Sequence, residues 1–108
     1  MEQKKKLVIK QYALNQLSEH FNYYKTNYSL RYAKSFSEEF IDVVENILPN
    51  YNRFPECRFL TTKNKIYRNI VWKKFLIVFK IQDDSIEILS LFHAKQNPVR
   101  LKKLRRVT

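Results

Sequence analysis

A chain of 108 residues, 44% hydrophobic and 15% aromatic, is sized for one domain with its own apolar core. Its single cysteine, Cys57, excludes an internal disulfide, and the apolar run Leu7 to Ile9 is too short for a membrane span or a signal-peptide core, so the chain reads as cytoplasmic. With no glycine it lacks the phosphate-cradling loops of nucleotide-binding folds, and its net charge of +11 suits a polyanionic or acidic partner.

The elements follow in order. Residues 5–11 form a first strand around Val8 and Ile9. Over residues 12–26 the apolar positions switch to helical spacing at Leu14, Leu17, Phe21 and Tyr24, with Tyr28 just beyond. Ser29 is a good N-cap for a second helix. Ala33, Phe36, Phe40, Val43, Val44 and Ile47 make its buried face, Lys34, Glu38, Asp42 and Glu45 its wet one, and Pro49 with Asn50 stop it. The short break between the two implies an antiparallel helical hairpin.

From Arg53 the pattern becomes β. Residues 57–61 form a short strand, and Thr62 to Asn64 a turn. Residues 65–72, 75–81 and 85–93 form three strands rich in β-branched and aromatic residues, joined by turns at Lys73-Lys74 and Asp83-Asp84. Without glycine, any turn needing positive φ falls to Asn, Asp or Lys. Past Pro98 comes a basic tail, residues 99–108, either a short amphipathic helix or a disordered arm. Residues 1–98 then make the single domain.

Charge is uneven along the chain. Residues 12–48 carry five acids against three Lys or Arg, whereas residues 53–80 carry eight Lys or Arg against Glu56 alone, and residues 95–108 carry six and no acid. The sheet poses a second asymmetry. Phe75, Ile77, Phe79 and Ile81 point to one face and Leu76 and Val78 to the other; on the last strand Ile86, Ile88 and Phe92 oppose Leu89 and Leu91. A helical hairpin covers one face only. Leu76, Val78, Leu89 and Leu91 are thus expected to form an apolar floor, covered by the tail or a partner.

The run from Arg68 through Phe75 to Phe79, Asp83-Asp84, Ile86 to Leu91, His93, Lys95 and Pro98 resembles the C-terminal half of RelE/ParE toxins of type II toxin–antitoxin systems. Val8, Ile9, Ala13, Leu17, Tyr24, Ser29, Ala33 and Phe36 fit the N-terminal half, so the resemblance spans about residues 7–98. It implies an α+β fold of order β-α-α-β-β-β(-β), with a helical hairpin on one face of a small, mostly antiparallel sheet. It also implies a plasmid-stabilising growth inhibitor neutralised by a cognate acidic antitoxin. That antitoxin is expected to meet the basic strands and the apolar floor; no cofactor is expected, and two His with one Cys make no metal site by spacing.

Members of that superfamily divide by target. ParE-like toxins inhibit DNA gyrase; RelE-like toxins are endoribonucleases that cut mRNA at the ribosome. In the ribonuclease reading His93 is the acid or base, and Arg68 and Lys95 bind phosphate. Against it, no tyrosine follows Tyr67, so the C-terminal catalytic Tyr is missing, and Gln96 stands where relatives carry a second cation. The ParE-like reading needs no catalytic residue; Arg100, Lys102, Lys103, Arg105 and Arg106 are its candidate target contacts. A non-toxic nucleic-acid-binding module is the third reading. Other centres are poorer: His20 sits opposite the apolar stripe and is expected to be exposed, Cys57 to be buried and structural, and Trp72, Phe75 and Phe79 to be core.

Overall fold

A computed structural model of the chain describes residues 5–57 and 60–93. In chain order the elements are β1 (Lys6–Ile9), α1 (Gln11–Asn27), α2 (Leu30–Asn50), a 3-10 turn (Tyr51–Arg53), β2 (Tyr67–Trp72), β3 (Phe75–Ile81) and β4 (Ser85–His93). The four strands form one sheet in the order β1-β4-β3-β2, with β1 parallel to β4 and the other pairs antiparallel. The α+β architecture is the expected one, and α1 and α2 form the helical hairpin.

Helix α2 supplies most of the cover. Its buried positions, Ala33, Phe36, Phe40, Val44 and Ile47, recur at three to four residues and meet Phe75, Ile77, Phe79, Ile86, Ile88 and Leu91 of the sheet. Ser29 caps it by accepting a 3.0 Å hydrogen bond from the Tyr32 amide. Pro49 falls in the last turn, so the helix stops at Asn50 as its composition implies.

The turns use the residues that a glycine-free chain leaves available. Lys65 (φ 53°) and Lys73 (φ 55°) occupy the left-handed region. That conformation costs a β-carbon-bearing residue about 1–2 kcal/mol, partly offset in a glycine variant by the larger entropy of its unfolded chain. Lys65→Gly is therefore expected to stabilise the fold by about 0.5 kcal/mol in urea denaturation, and an equal loss would contradict the strain. At the Asp83-Asp84 turn, Lys5 donates to the carbonyls of Gln82 (2.6 Å) and Asp83 (2.8 Å) and ties the turn to the start of β1.

Three sequence expectations are corrected. First, residues 57–61 are not a strand among the described residues: Glu56 makes a single antiparallel bridge to Arg68, and the Leu60 amide turns back to the Cys57 carbonyl at 3.1 Å. Second, a β-bulge interrupts the β3–β4 pairing. Val78 faces Ser90 but Phe79 faces Ile88, so Leu89 is an extra residue in β4. The alternation slips by one, which puts Leu91 on the helix-covered face with Ile86 and Ile88, and Phe92 on the other face with Val78 and Leu89. Third, the expected open floor is closed. Val78 and Leu89 are fully buried, sealed with Cys57, Leu60, Tyr67 and Phe92 into a second core; Leu76 is half-buried at its margin. The segment after the 3-10 turn folds back across this face, which an aperiodic stretch of sequence does not announce.

Candidate functional site

The chemistry-bearing side chains gather at one end of the molecule, where the tip of the helical hairpin meets the β2–β3 turn and the end of β4. A continuous chain of rings runs through it. Tyr28 stacks on Tyr32 at 5.3 Å, and Tyr32 meets Tyr24 edge-on at 4.9 Å. Tyr24 meets Phe36 at 4.9 Å, Phe36 meets Phe75 at 5.3 Å, and Phe75 meets His93 at 5.6 Å. His20 lies edge-on against Phe75 at 4.7 Å, and Trp72 tilts against Phe36 at 5.0 Å. Cross-strand register sets the inner members, pairing Phe75 with both Trp72 and His93. The hairpin sets the outer ones: Tyr24 stands on α1, Tyr28 follows its last turn, and Tyr32 lies in the first turn of α2.

The charges here are partly spent. Lys73, in the turn, reaches Glu39 at 2.9 Å and lies over Trp72 at 5.8 Å. Its hydrogen bond to Glu39 holds the ammonium above its ordinary range. Burial, then the neighbouring Tyr32, Tyr28 and Tyr23, pushes the Tyr24 hydroxyl upward.

His20 is not the exposed residue its sequence position suggested. It is half-buried, because the face of α1 turned to the sheet runs through Ala13, Gln16, Leu17, His20 and Tyr24, whereas Leu14 is 38% exposed. Gln16 is what turns that face inward: its Oε1 accepts from the Ser90 hydroxyl and the Leu91 amide, both at 2.8 Å, exactly where the bulge leaves the edge of β4 beyond its pairing with β1. Burial lowers the His20 pKa below 6.5; a backbone hydrogen bond at Leu91 and the Glu19 carboxylate pull the other way, and His93 reinforces the lowering.

The unfolded chain takes up the His20 proton near 6.5, the folded chain only at lower pH. The contribution of neutral His20 is thus complete above the unfolded value and is lost as pH falls through this window. Melting temperature is expected to drop further for wild type than for His20→Gln between about pH 7.5 and about pH 5.5. Equal drops would show that the ring is not buried neutral.

The other sequence candidates separate. Arg68 stands in β2, and its guanidinium is engaged with backbone carbonyls: Nε donates to Lys65 (2.8 Å) and one terminal nitrogen to Asn52 (3.2 Å) and Phe54 (2.9 Å). It holds the segment that covers the second face. Leu91 lies under the helices, and Val78 and Leu89 under that segment. Lys95, Arg100, Lys102, Lys103, Arg105 and Arg106 lie outside the described residues. Cys57 is buried, as expected, and no group of three or more metal-ligating side chains occurs among the described residues. Nor is any described helix long and apolar enough to cross a membrane. Sequence reasoning missed the tyrosine tip, since Tyr23, Tyr28 and Tyr32 come together only through the hairpin turn; the signal that could have found it is the run of basic residues without an acid between Phe21 and Phe36.

A solved structure described as the chromosomal ParDE TA system from P. aeruginosa is similar in fold, with a TM-score of 0.71 and 15% identity over 83% of this chain and 96% of that one. No curated protein matches the chain in sequence. The family model for the ParE toxin of type II toxin-antitoxin system, parDE, matches residues 7–98. The chain therefore belongs to the ParE toxin family of type II toxin–antitoxin systems.

Proposed function

We propose that this toxin inhibits DNA gyrase by binding it, with no chemistry of its own, and that a cognate acidic antitoxin neutralises it. The observation that carries the reading is the employment of the side chains a ribonuclease would need. Arg68 gives its guanidinium to three backbone carbonyls, and His93 stands edge-on to Phe75 at the end of β4. No tyrosine follows Tyr67 to serve as the missing acid or base. Family membership supports the toxin half of the reading, and the similar ParDE structure supports a protein partner.

In this reading the basic end of the chain, Lys95, Arg100, Lys102, Lys103, Arg105 and Arg106, steers the toxin to its acidic partners. The antitoxin meets the basic residues of segment 53–80 and the margin of the floor at Leu76, since the chain itself covers Val78 and Leu89.

Induction in cells tests the proposal. Wild type and His93→Ala are both expected to arrest growth, trigger the DNA-damage response and relax plasmid DNA while mRNA stays intact. Co-expression with the acidic product of the adjacent reading frame is expected to restore growth. Cleaved mRNA together with a harmless His93→Ala would replace this reading with the RelE-like one, and normal growth would remove both.

A further inference from the structure

The geometry points to the tip of the helical hairpin as the surface that grips an acidic face of the toxin's target protein; this rests on the reading of the chain as an inhibitor that works by binding. Residues 25–32 are all exposed, an unbroken run across the end of α1 and the start of α2. Within and beside it stand Tyr28 (67% exposed), Tyr23 (57%), Leu30 (46%) and Tyr32 (42%). Single exposed apolar side chains are ordinary, but a contiguous aromatic group is characteristic of an interface, and Tyr and Arg are the residues that dominate binding energy.

The tip is also built to be rigid. The Tyr28 and Ser29 amides both donate to the Tyr24 carbonyl, at 2.9 and 3.0 Å, and the Asn27 side chain donates to the Tyr23 carbonyl at 2.9 Å. With the Ser29 cap these bonds hold the rings in place before any partner arrives, which cuts the ordering cost of binding.

Charge selects the partner. From Phe21 to Phe36 the chain carries Lys25, Arg31 and Lys34 and no acid. None of the three joins the ion pairs found among the described residues, Lys10–Glu87 and Lys73–Glu39. Arg31 sits in the first turn of α2, where no acid is present and the helix dipole disfavours a cation. An exposed cation against the dipole, beside exposed rings, is a local sacrifice of stability that an acidic partner reverses.

Two other occupants fit less well. Single-stranded nucleic acid needs free ring faces, but Tyr28 and Tyr32 stack on each other and Tyr23 packs edge-on to Tyr24 at 76°. A second copy docked by two-fold symmetry sets the same cations against each other, in a chain of net charge +11.

Arg31→Glu and Tyr28→Ser test the inference, the first placing an acid where the helix dipole favours it, so that folding is not at risk. Each is expected to keep the wild-type melting temperature, to lose growth arrest on induction, and to raise the concentration needed for half-inhibition of DNA gyrase supercoiling by about tenfold or more. If wild type arrests growth without inhibiting gyrase, the gyrase reading fails alone; loss of arrest in both variants then still supports the tip, and unchanged arrest overturns it. Variants that arrest growth but escape the antitoxin overturn it by assigning the tip to the antitoxin. So does tight binding of a labelled single-stranded oligonucleotide that both variants lose together with arrest. A wild-type chain that leaves growth unaffected overturns the inference along with the reading beneath it.

Discussion

Replacing Phe36 with Ala is expected to lower stability by about 3–5 kcal/mol, the range for truncating a fully packed aromatic side chain. Phe36 is 2% exposed and joins both layers of the fold: its ring meets Tyr24 at 4.9 Å, Trp72 at 5.0 Å and Phe75 at 5.3 Å. Truncation removes the transfer energy of the ring and leaves a cavity that rigid neighbours cannot fill, and the ring contacts go with it. Against a total stability of about 5–15 kcal/mol this approaches unfolding, and a drop in melting temperature of about 15 °C or more is expected by circular dichroism. A loss under about 1.5 kcal/mol would mean that the hairpin and the sheet are not coupled through this residue.

Gln16→Leu has the second largest expected effect, about 2–4 kcal/mol, although it makes the helix face more apolar. The Gln16 side-chain oxygen accepts from two donors, the Ser90 hydroxyl and the Leu91 amide, each at 2.8 Å. Ser90 and Leu91 are fully buried beside the β-bulge, so without Gln16 both donors are left in an apolar setting with no acceptor. Gln16→Glu keeps an acceptor oxygen in place of Oε1 and is expected to retain most of the stability at neutral pH. Hydrogen exchange at the Leu91 amide gives the local reading: fast in Gln16→Leu, protected in Gln16→Glu. Equal stability of the leucine variant and wild type would show that the edge of β4 is satisfied another way.

These two residues also mark what the sequence discloses and what it hides. Helix α2 was legible because its packing obeys a single period, so Phe36, Phe40, Val44 and Ile47 could be named as core from spacing alone. Strands β3 and β4 were legible for the same reason as far as Ile88. Beyond it the bulge at Leu89 shifts the alternation by one, and a bulge is a backbone event with no side-chain signature here, so Leu91 and Phe92 were assigned to each other's faces. Helix α1 misleads differently. Its inward face holds Gln16 and His20, polar residues half-buried because they meet a sheet edge and its aromatic neighbour, and hydropathy cannot mark such positions. The cover over Val78 and Leu89 comes from a stretch without periodicity, pinned by the Arg68 hydrogen bonds to Asn52, Phe54 and Lys65.

Of the candidate site, His93 was legible as a polar residue closing an apolar strand. Its company was not: Phe75 and His20 reach it by register and by helix packing, which join residues distant in the chain. Tyr28 stood just beyond the apolar spacing of α1, and Tyr32 lay off the buried face of α2; the hairpin turn brings the two exposed rings together.

The central claim is that this fold inhibits by its surface and not by a reaction. Its most direct test sets purified wild type and His93→Ala side by side in a gyrase supercoiling assay on relaxed plasmid, with ribosome-bound mRNA as the parallel substrate. The account predicts that both proteins block supercoiling with the same potency and leave the message whole. Supercoiling that proceeds undisturbed, with mRNA cut by wild type and spared by His93→Ala, would contradict it.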